Sequence, residues 1–272
     1  GFFSIQTSDI ARFSVILYMA YYADKKRDKL KDFQLGLLPA LGILSLIMTL
    51  IIIQPDYSTA LMIGAIGVLI LFIGGSSLSQ LSAAGACAML VGIPVLLSRE
   101  YRKQRFLSWL GIGDNTEIGY QANQSLISLG NGGVFGVGLG NSIEKNHFLP
   151  TPHTDFIFAI IGEELGFVIG TVPVLTLFLL IFIRGLKIAK NCTDPFGIFL
   201  SIGIAFNLVL YAFVNAAVVT GIFPVTGLPM PMVSYGGSGM VVNMAMMGIL
   251  LNISQSRRSV GNKKGWSPVI RG

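Results

Sequence analysis

Apolar runs of membrane-spanning length recur along this chain and leave it few folds to adopt. A helix needs about 20 apolar residues, within a range of roughly 17 to 25, to cross a bilayer. Runs of that order occupy Phe33 to Ile53, Thr59 to Gly75, Leu78 to Leu97, Leu165 to Ile183 and Phe196 to Phe223. Two shorter runs, Ile10 to Ala23 and Met240 to Ser254, read the same way and bring the expected spans to seven. Only 12% of the residues are charged, against roughly 25% in an ordinary soluble domain, and the mean hydropathy is +0.71. Inside a bilayer the backbone must satisfy its own hydrogen bonds, which a helix does. The expectation is an all-α, polytopic helical membrane protein: one membrane domain over residues 1–272, carrying a large loop at residues 99–164.

The basic residues orient it. Lys and Arg in short loops stay on the cytoplasmic side, and thirteen of the nineteen lie in Asp24 to Asp32, Arg184 to Lys190 and the tail from Arg257 onward. Those segments, the C-terminus included, are placed in the cytoplasm. Gln54 to Ser58, Arg99 to Glu164 and Pro224 to Gly239 then face outward. So does Gly1, although the chain starts with neither Met nor a signal peptide, and it reads as a fragment lacking an odd number of upstream spans. Topology accounts for most of the net charge of +6, so nucleic acid is not an expected partner. Cys87 and Cys192 fall in different places and have no metal-ligand spacing.

The outward segment from Arg99 holds the polar chemistry. Arg99, Arg102, Lys103 and Arg105 break the charge rule, and Arg102 and Arg105 are spaced to share a helix face. They suit either anionic head groups or the grip of planar guanidinium groups on a phosphate or pyrophosphate. The stretch GNGGVFGVGLGNS has G-x-G patterns but no surrounding βαβ unit, so its glycines read as tight turns and close packing rather than a nucleotide site. His147 and His153 lack an HxxxH or HExxH partner, which argues against zinc. Asp155 precedes the apolar helical run Phe156 to Ile161. It is either an N-cap held by backbone amides or a carboxylate tuned by apolar surroundings to accept a proton. Glu163 and Glu164 open the next span and have basic residues near enough to pair with.

Three other outward segments carry polar residues. Asp9 and Arg12 lie one helical turn apart, either as a helix start with its compensating charge or as an ionisable pair lining a cavity at membrane depth. Asp56 in QPDYST reads chiefly as a cap. The segment TGIFPVTGLPMPMVSYGGSGM is too rich in proline and glycine to be a helix, so its backbone must face protein or water; a re-entrant loop lining a cavity fits.

Four of these stretches, IQTSDIAR (Ile5 to Arg12), QPDYSTA (Gln54 to Ala60), HTDFIFAIIGEELGF (His153 to Phe167) and PVTGLPMPMVSYGGSG (Pro224 to Gly239), resemble in order the motifs of the SEDS family (shape, elongation, division and sporulation) of membrane peptidoglycan glycosyltransferases. GYQANQSLISLGNGG, GLGNSIEKNHFLP and LLNIS are more similar to the FtsW branch than to the RodA branch. The resemblance covers essentially the whole chain. Thr7 stands where the family usually has Pro, and Asp9 and Arg12 stand for Glu and Lys.

The resemblance implies ten spans in the full fold, with the first three missing here. It implies polymerisation of lipid II into glycan strands at the outer face of the bacterial cytoplasmic membrane, by inversion at the anomeric carbon with undecaprenyl pyrophosphate leaving. The family's essential acidic residue falls on Asp155, which becomes the expected general base. Arg99, Arg102 and Arg105 are the expected pyrophosphate grip, alone or with a divalent cation such as Mg or Mn. Gln124, His153 and Ser234, which lie in matching motifs, are carried as further lipid II contacts, and Asp9 with Arg12 as a cavity-lining charged pair. A class B penicillin-binding protein transpeptidase and other division membrane proteins are the implied partners. A lipid II flippase or transporter and a non-catalytic division scaffold are the alternatives.

Overall fold

The computed structural model describes residues 6–112, 117–145 and 153–263. The readings made of Gly1, His147 and the basic tail from Arg257 fall outside the described residues or side chains. Every regular element among the described residues is helical. The first helix, α1 (Thr7–Lys25), is followed by a π-helical turn, Phe33–Leu37, leading into α2 (Leu38–Ile53). Next come α3 (Tyr57–Ile73) and α4 (Leu78–Leu97). Two helices, α5 (Glu100–Trp109) and α6 (Glu117–Gly132), lie in the polar stretch. The chain continues through α7 (Ile157–Gly166), a second π-helical turn, Phe167–Thr171, and α8 (Val172–Asn191) to α9 (Pro195–Val219) and α10 (Gly237–Lys263).

Among the described residues, five helical segments are long and apolar enough to cross a membrane: Phe33–Ile53, Leu78–Leu97, Ile157–Asn191, Pro195–Val219 and Gly237–Gln255; Tyr57–Ile73 is a shorter apolar helix. Their starts follow from local chemistry. The Asp32 carboxylate accepts from the Gln34 and Leu35 amides at 2.9 and 3.1 Å, Asp56 accepts from Thr59 N at 3.1 Å, and Asp194 accepts from Gly197 N at 3.1 Å with Pro195 at the first helical position. Each cap satisfies an amide that the first turn leaves without a partner. The apolar segment Ile157–Asn191 is interrupted at Gly166 (φ +76°, ψ −176°), and the run expected from Leu165 to Ile183 falls on the part that follows this break.

The core gathers around α9. Its Leu200, Ile204 and Leu208 pack with Val15, Ile16 and Met19 of α1 and Ile63, Ile66 and Ile70 of α3, all buried. A second cluster, with Phe156, Phe158, Ala212, Ala216 and Met230, lies where α7, α9 and the segment before α10 meet. Helix α4 is the outlier: 6% of its span is buried, against 61% for α9. It is tied in near its ends: Gln80 Nε2 donates to Lys31 O (3.3 Å) at its start, and towards its finish Tyr57 Oη donates to Gly92 O (3.1 Å) and Arg102 donates to Val95 O (3.2 Å). The bundle thus has two ends. One carries Lys25, Lys31 and Asp194; the other carries the starts of α1, α3 and α10, the ends of α2, α4 and α9, and the polar region.

Candidate functional site

The polar region is mounted on α9. Trp109 Nε1 of α5 donates to Gly221 O (3.0 Å), and Ser125 Oγ of α6 donates to Val219 O (3.1 Å). The glycine-rich segment after α6 folds back on α7 through backbone bonds: Val137 N to Glu163 O (2.9 Å), Gly138 N to Glu164 O (3.0 Å), Phe167 N to Gly133 O (2.9 Å). Side chains complete the join. The buried Glu163 carboxylate accepts from Ser128 Oγ (3.0 Å), Ser142 Oγ (2.5 Å) and Ile143 N (3.1 Å), while Lys145 pairs with Glu164 at 2.6 Å. A Cβ on Gly136 or Gly166 would run into the other's backbone, and both have positive φ (+83° and +76°). Close approach is therefore what these glycines supply. Beside Glu163, burial and the like charge push the Glu144 carboxyl above its usual range.

The turn before α7 carries Asp155. Phe156 is the N-cap of α7 and no side chain caps that helix, so Asp155 is not the cap that its sequence position allowed. Its backbone is fixed from α9: Asn215 Nδ2 donates to Asp155 O at 2.7 Å and to Leu228 O at 2.8 Å. The irregular segment between α9 and α10 closes over the same turn. Ser234 Oγ donates to Thr154 O (2.5 Å) and accepts from Met230 N (2.8 Å), and Tyr235 N donates to His153 O (2.8 Å). This segment has the irregular, protein-facing backbone that its prolines and glycines required.

The Asp155 carboxylate faces Arg105. Gly227, with φ of +71°, lies beside both: a Cβ built on it would be 3.6 Å from Asp155 Oδ2 and 3.9 Å from both terminal nitrogens of Arg105. Burial pushes the Asp155 carboxyl above its ordinary value, and the Arg105 charge pulls it back. Arg105 is held on its far side by Tyr101, whose ring centroid is 4.4 Å from the guanidinium carbon and whose hydroxyl accepts from Nη2. Asp155 is thus a half-buried carboxylate with a raised proton affinity opposite a fixed cation, an arrangement able to take a proton from a hydroxyl beside an anion.

The other nominated residues are distributed differently. Arg102, one turn from Arg105 on α5, is turned onto backbone, reaching Val95 O and Ile52 O (3.4 Å) and lying over the Tyr57 ring at 5.5 Å. Arg99 is exposed at the start of α5. His153 is exposed and meets the loop through its carbonyl. Gln124 donates to Tyr120 Oη at 2.9 Å, within α6. The proton of Ser234 is committed to Thr154. Asp9 and Arg12 form a second cluster, ion-paired at 3.3 Å. Buried Arg12 also donates to Asn243 Oδ1 (3.1 Å) and lies 4.4 Å over the Tyr211 ring, and Ser238 Oγ donates to Asp9 Oδ2 (2.9 Å). Among the described residues no group of three or more His, Cys, Asp or Glu side chains converges on one point. The sequence reading missed Asn215 and Gly227. An amide inside a 25-residue apolar helix was the available signal for Asn215; Gly227 had none.

Fold and site together define a polytopic helical membrane protein that presents the half-buried Asp155 carboxylate beside the Arg105 guanidinium at a bundle end. The chain belongs to the cell cycle protein family of FtsW, RodA and SpoVE, whose profile it matches over residues 1–259. It is 42% identical, over 93% of its length and 68% of the relative's, to the probable peptidoglycan glycosyltransferase FtsW of Geobacter sulfurreducens (strain DL-1 / KN400). It is 38% identical to stage V sporulation protein E of Bacillus subtilis (strain 168), over 95% of this chain and 70% of that protein. Among solved structures it is similar to a chain described under structural coordination of polymerization and crosslinking by a peptidoglycan synthase complex. There the TM-score is 0.73 at 23% identity, covering 94% of this chain and 72% of that one. The rod shape determining protein RodA of Thermus thermophilus gives 0.60 at 24% identity, covering 94% and 68%.

Proposed function

We propose that the chain is a peptidoglycan glycosyltransferase that polymerises lipid II into glycan strands during division or wall synthesis. The observation that carries this reading is Asp155 facing Arg105 beside Gly227. In it, Asp155 accepts the proton of the acceptor sugar's 4-hydroxyl as that oxygen bonds to the donor's anomeric carbon. The bond from that carbon to the pyrophosphate breaks, its electron pair leaving with undecaprenyl pyrophosphate, so a single displacement inverts the centre. Arg105 stabilises the departing charge. One carboxylate and one guanidinium do not make a metal site, so a divalent cation would arrive on the pyrophosphate, and no step here passes through it.

The finer topology belongs to the same reading: seven spans, the Asp155 end of the bundle outside, the C-terminus in the cytoplasm, and residues 99–164 as the outer loop. A family fold of ten spans in the bacterial inner membrane completes it. The likeness to a chain of a peptidoglycan synthase complex supports a class B penicillin-binding protein transpeptidase as partner. Full-length protein incubated with purified lipid II, with and without that partner, tests the proposal. Wild-type protein should form polymer, and Asp155→Asn should fold without forming any. Translocated lipid without glycan would point to a flippase, and neither product to a scaffold; polymer from Asp155→Asn at the wild-type rate would refute the assignment.

A further inference from the structure

The carboxylate and the guanidinium form no direct ion pair, although opposite charges this close would gain by meeting; the described ion pairs lie elsewhere. Tyr101 draws Arg105 to one side and Asn215 fixes the Asp155 backbone on the other. Gly227 lies within van der Waals reach of both groups, and its missing side chain leaves that space unfilled. A methyl there would be in ordinary contact with both Asp155 Oδ2 and the Arg105 nitrogens, without collision. It would fill the gap, at the cost of a strained backbone at φ of +71°. Arg105 Nε and the hydroxyl of the adjacent Thr226 are buried and have no hydrogen-bond partner among the described residues. A buried polar atom without a partner calls for an explanation, and beside this gap a ligand that completes the bonding supplies one.

We infer that Gly227 is a space-making residue of the site: its missing side chain keeps the Asp155–Arg105 gap open to a sugar hydroxyl on the carboxylate side and a pyrophosphate oxygen on the guanidinium side. The inference rests on the proposed glycosyl transfer. It competes with a purely conformational role, since φ of +71° at Gly227 also favours glycine. Two substitutions separate the roles. Asn tolerates the left-handed backbone better than Ala, yet it is the larger side chain.

The test measures lipid II polymerisation per folded molecule by full-length Gly227→Ala and Gly227→Asn, beside wild type and Asp155→Asn, together with melting temperature. The inference expects Asn to melt at or above Ala but to polymerise less. Ala should fall about tenfold and Asn about a hundredfold or more, the scale on which small misplacements at a reacting centre act. Activity that follows stability, with Asn at or above Ala, overturns it. So does turnover by Ala near the wild-type rate, or failure of both variants to fold. If Asp155→Asn is inactive while Gly227→Asn is active, this inference alone fails; if Asp155→Asn polymerises normally, the reading beneath it fails.

Discussion

The side-chain amide of Asn215 donates to the backbone carbonyl of Asp155 at 2.7 Å and, with the same nitrogen, to Leu228 O at 2.8 Å. One residue of α9 therefore sets both the turn that carries the carboxylate and the loop that lies against it. Removing the donor leaves two carbonyls without their partner, a loss of about 1–3 kcal/mol for each that stays buried. Asn215→Leu and Asn215→Asp should both lower the melting temperature and reduce turnover, because a carboxylate can accept but not donate. Two variants with wild-type melting and turnover would show that the amide does not position Asp155.

Asp155 predicts a pH dependence with a defined sign. Burial raises its carboxyl and Arg105 lowers it. A base acts when ionised, so polymerisation should rise with pH through a value above the usual carboxylate range. Arg105→Gln removes the lowering charge and should shift that limb to higher pH as well as slowing turnover. The folded state holds this proton more tightly than the unfolded chain. The stability it contributes is therefore complete at low pH and lost as pH rises through the folded value. Asp155→Asn should accordingly melt no lower than wild type at neutral pH, and a lower melting point there would contradict the assigned direction.

Glu163 and Glu164 are adjacent but differ in what they hold. The Glu163 carboxylate receives three donors in a buried setting, whereas the Lys145–Glu164 pair is partly open to solvent. Glu163→Gln turns an amide donor toward donors and should cost roughly 1–3 kcal/mol; Lys145→Met should cost less, at most about 1 kcal/mol. Chemical denaturation of the two variants in the same detergent checks the order, and equal losses would count against the Glu163 join.

Arg12 is buried with Asp9 as its ion-pair partner. Removing Asp9 alone strands a guanidinium, at a cost of up to about 3–5 kcal/mol. The double variant Asp9→Asn, Arg12→Gln should be more stable than Asp9→Ala. A thermal melt giving the reverse order would mean that the charge of Arg12 is balanced from another side.

Hydropathy and charge made the helical membrane architecture legible, because burial in lipid is a property of each run of about 20 residues on its own. Phe33–Ile53 and Leu78–Leu97 match the predicted runs end for end. The cap at Asp56 was legible for the same reason: it bonds an amide three residues away. Four ordered motifs also carried the family. The sequence alone left Asp155 poised between cap and base, since both uses place an acid just before an apolar helix. It left Arg102 and Arg105 equivalent, since spacing one turn apart says nothing of what each meets. Tertiary structure decided both. It gave the cap position to Phe156 and turned Arg102 onto the carbonyls of Val95 and Ile52. Arg105 alone it brought opposite Asp155, beside a glycine more than a hundred residues away in the chain. Electrostatic and steric effects fall off with distance in space, so no local reading of the chain could have separated them.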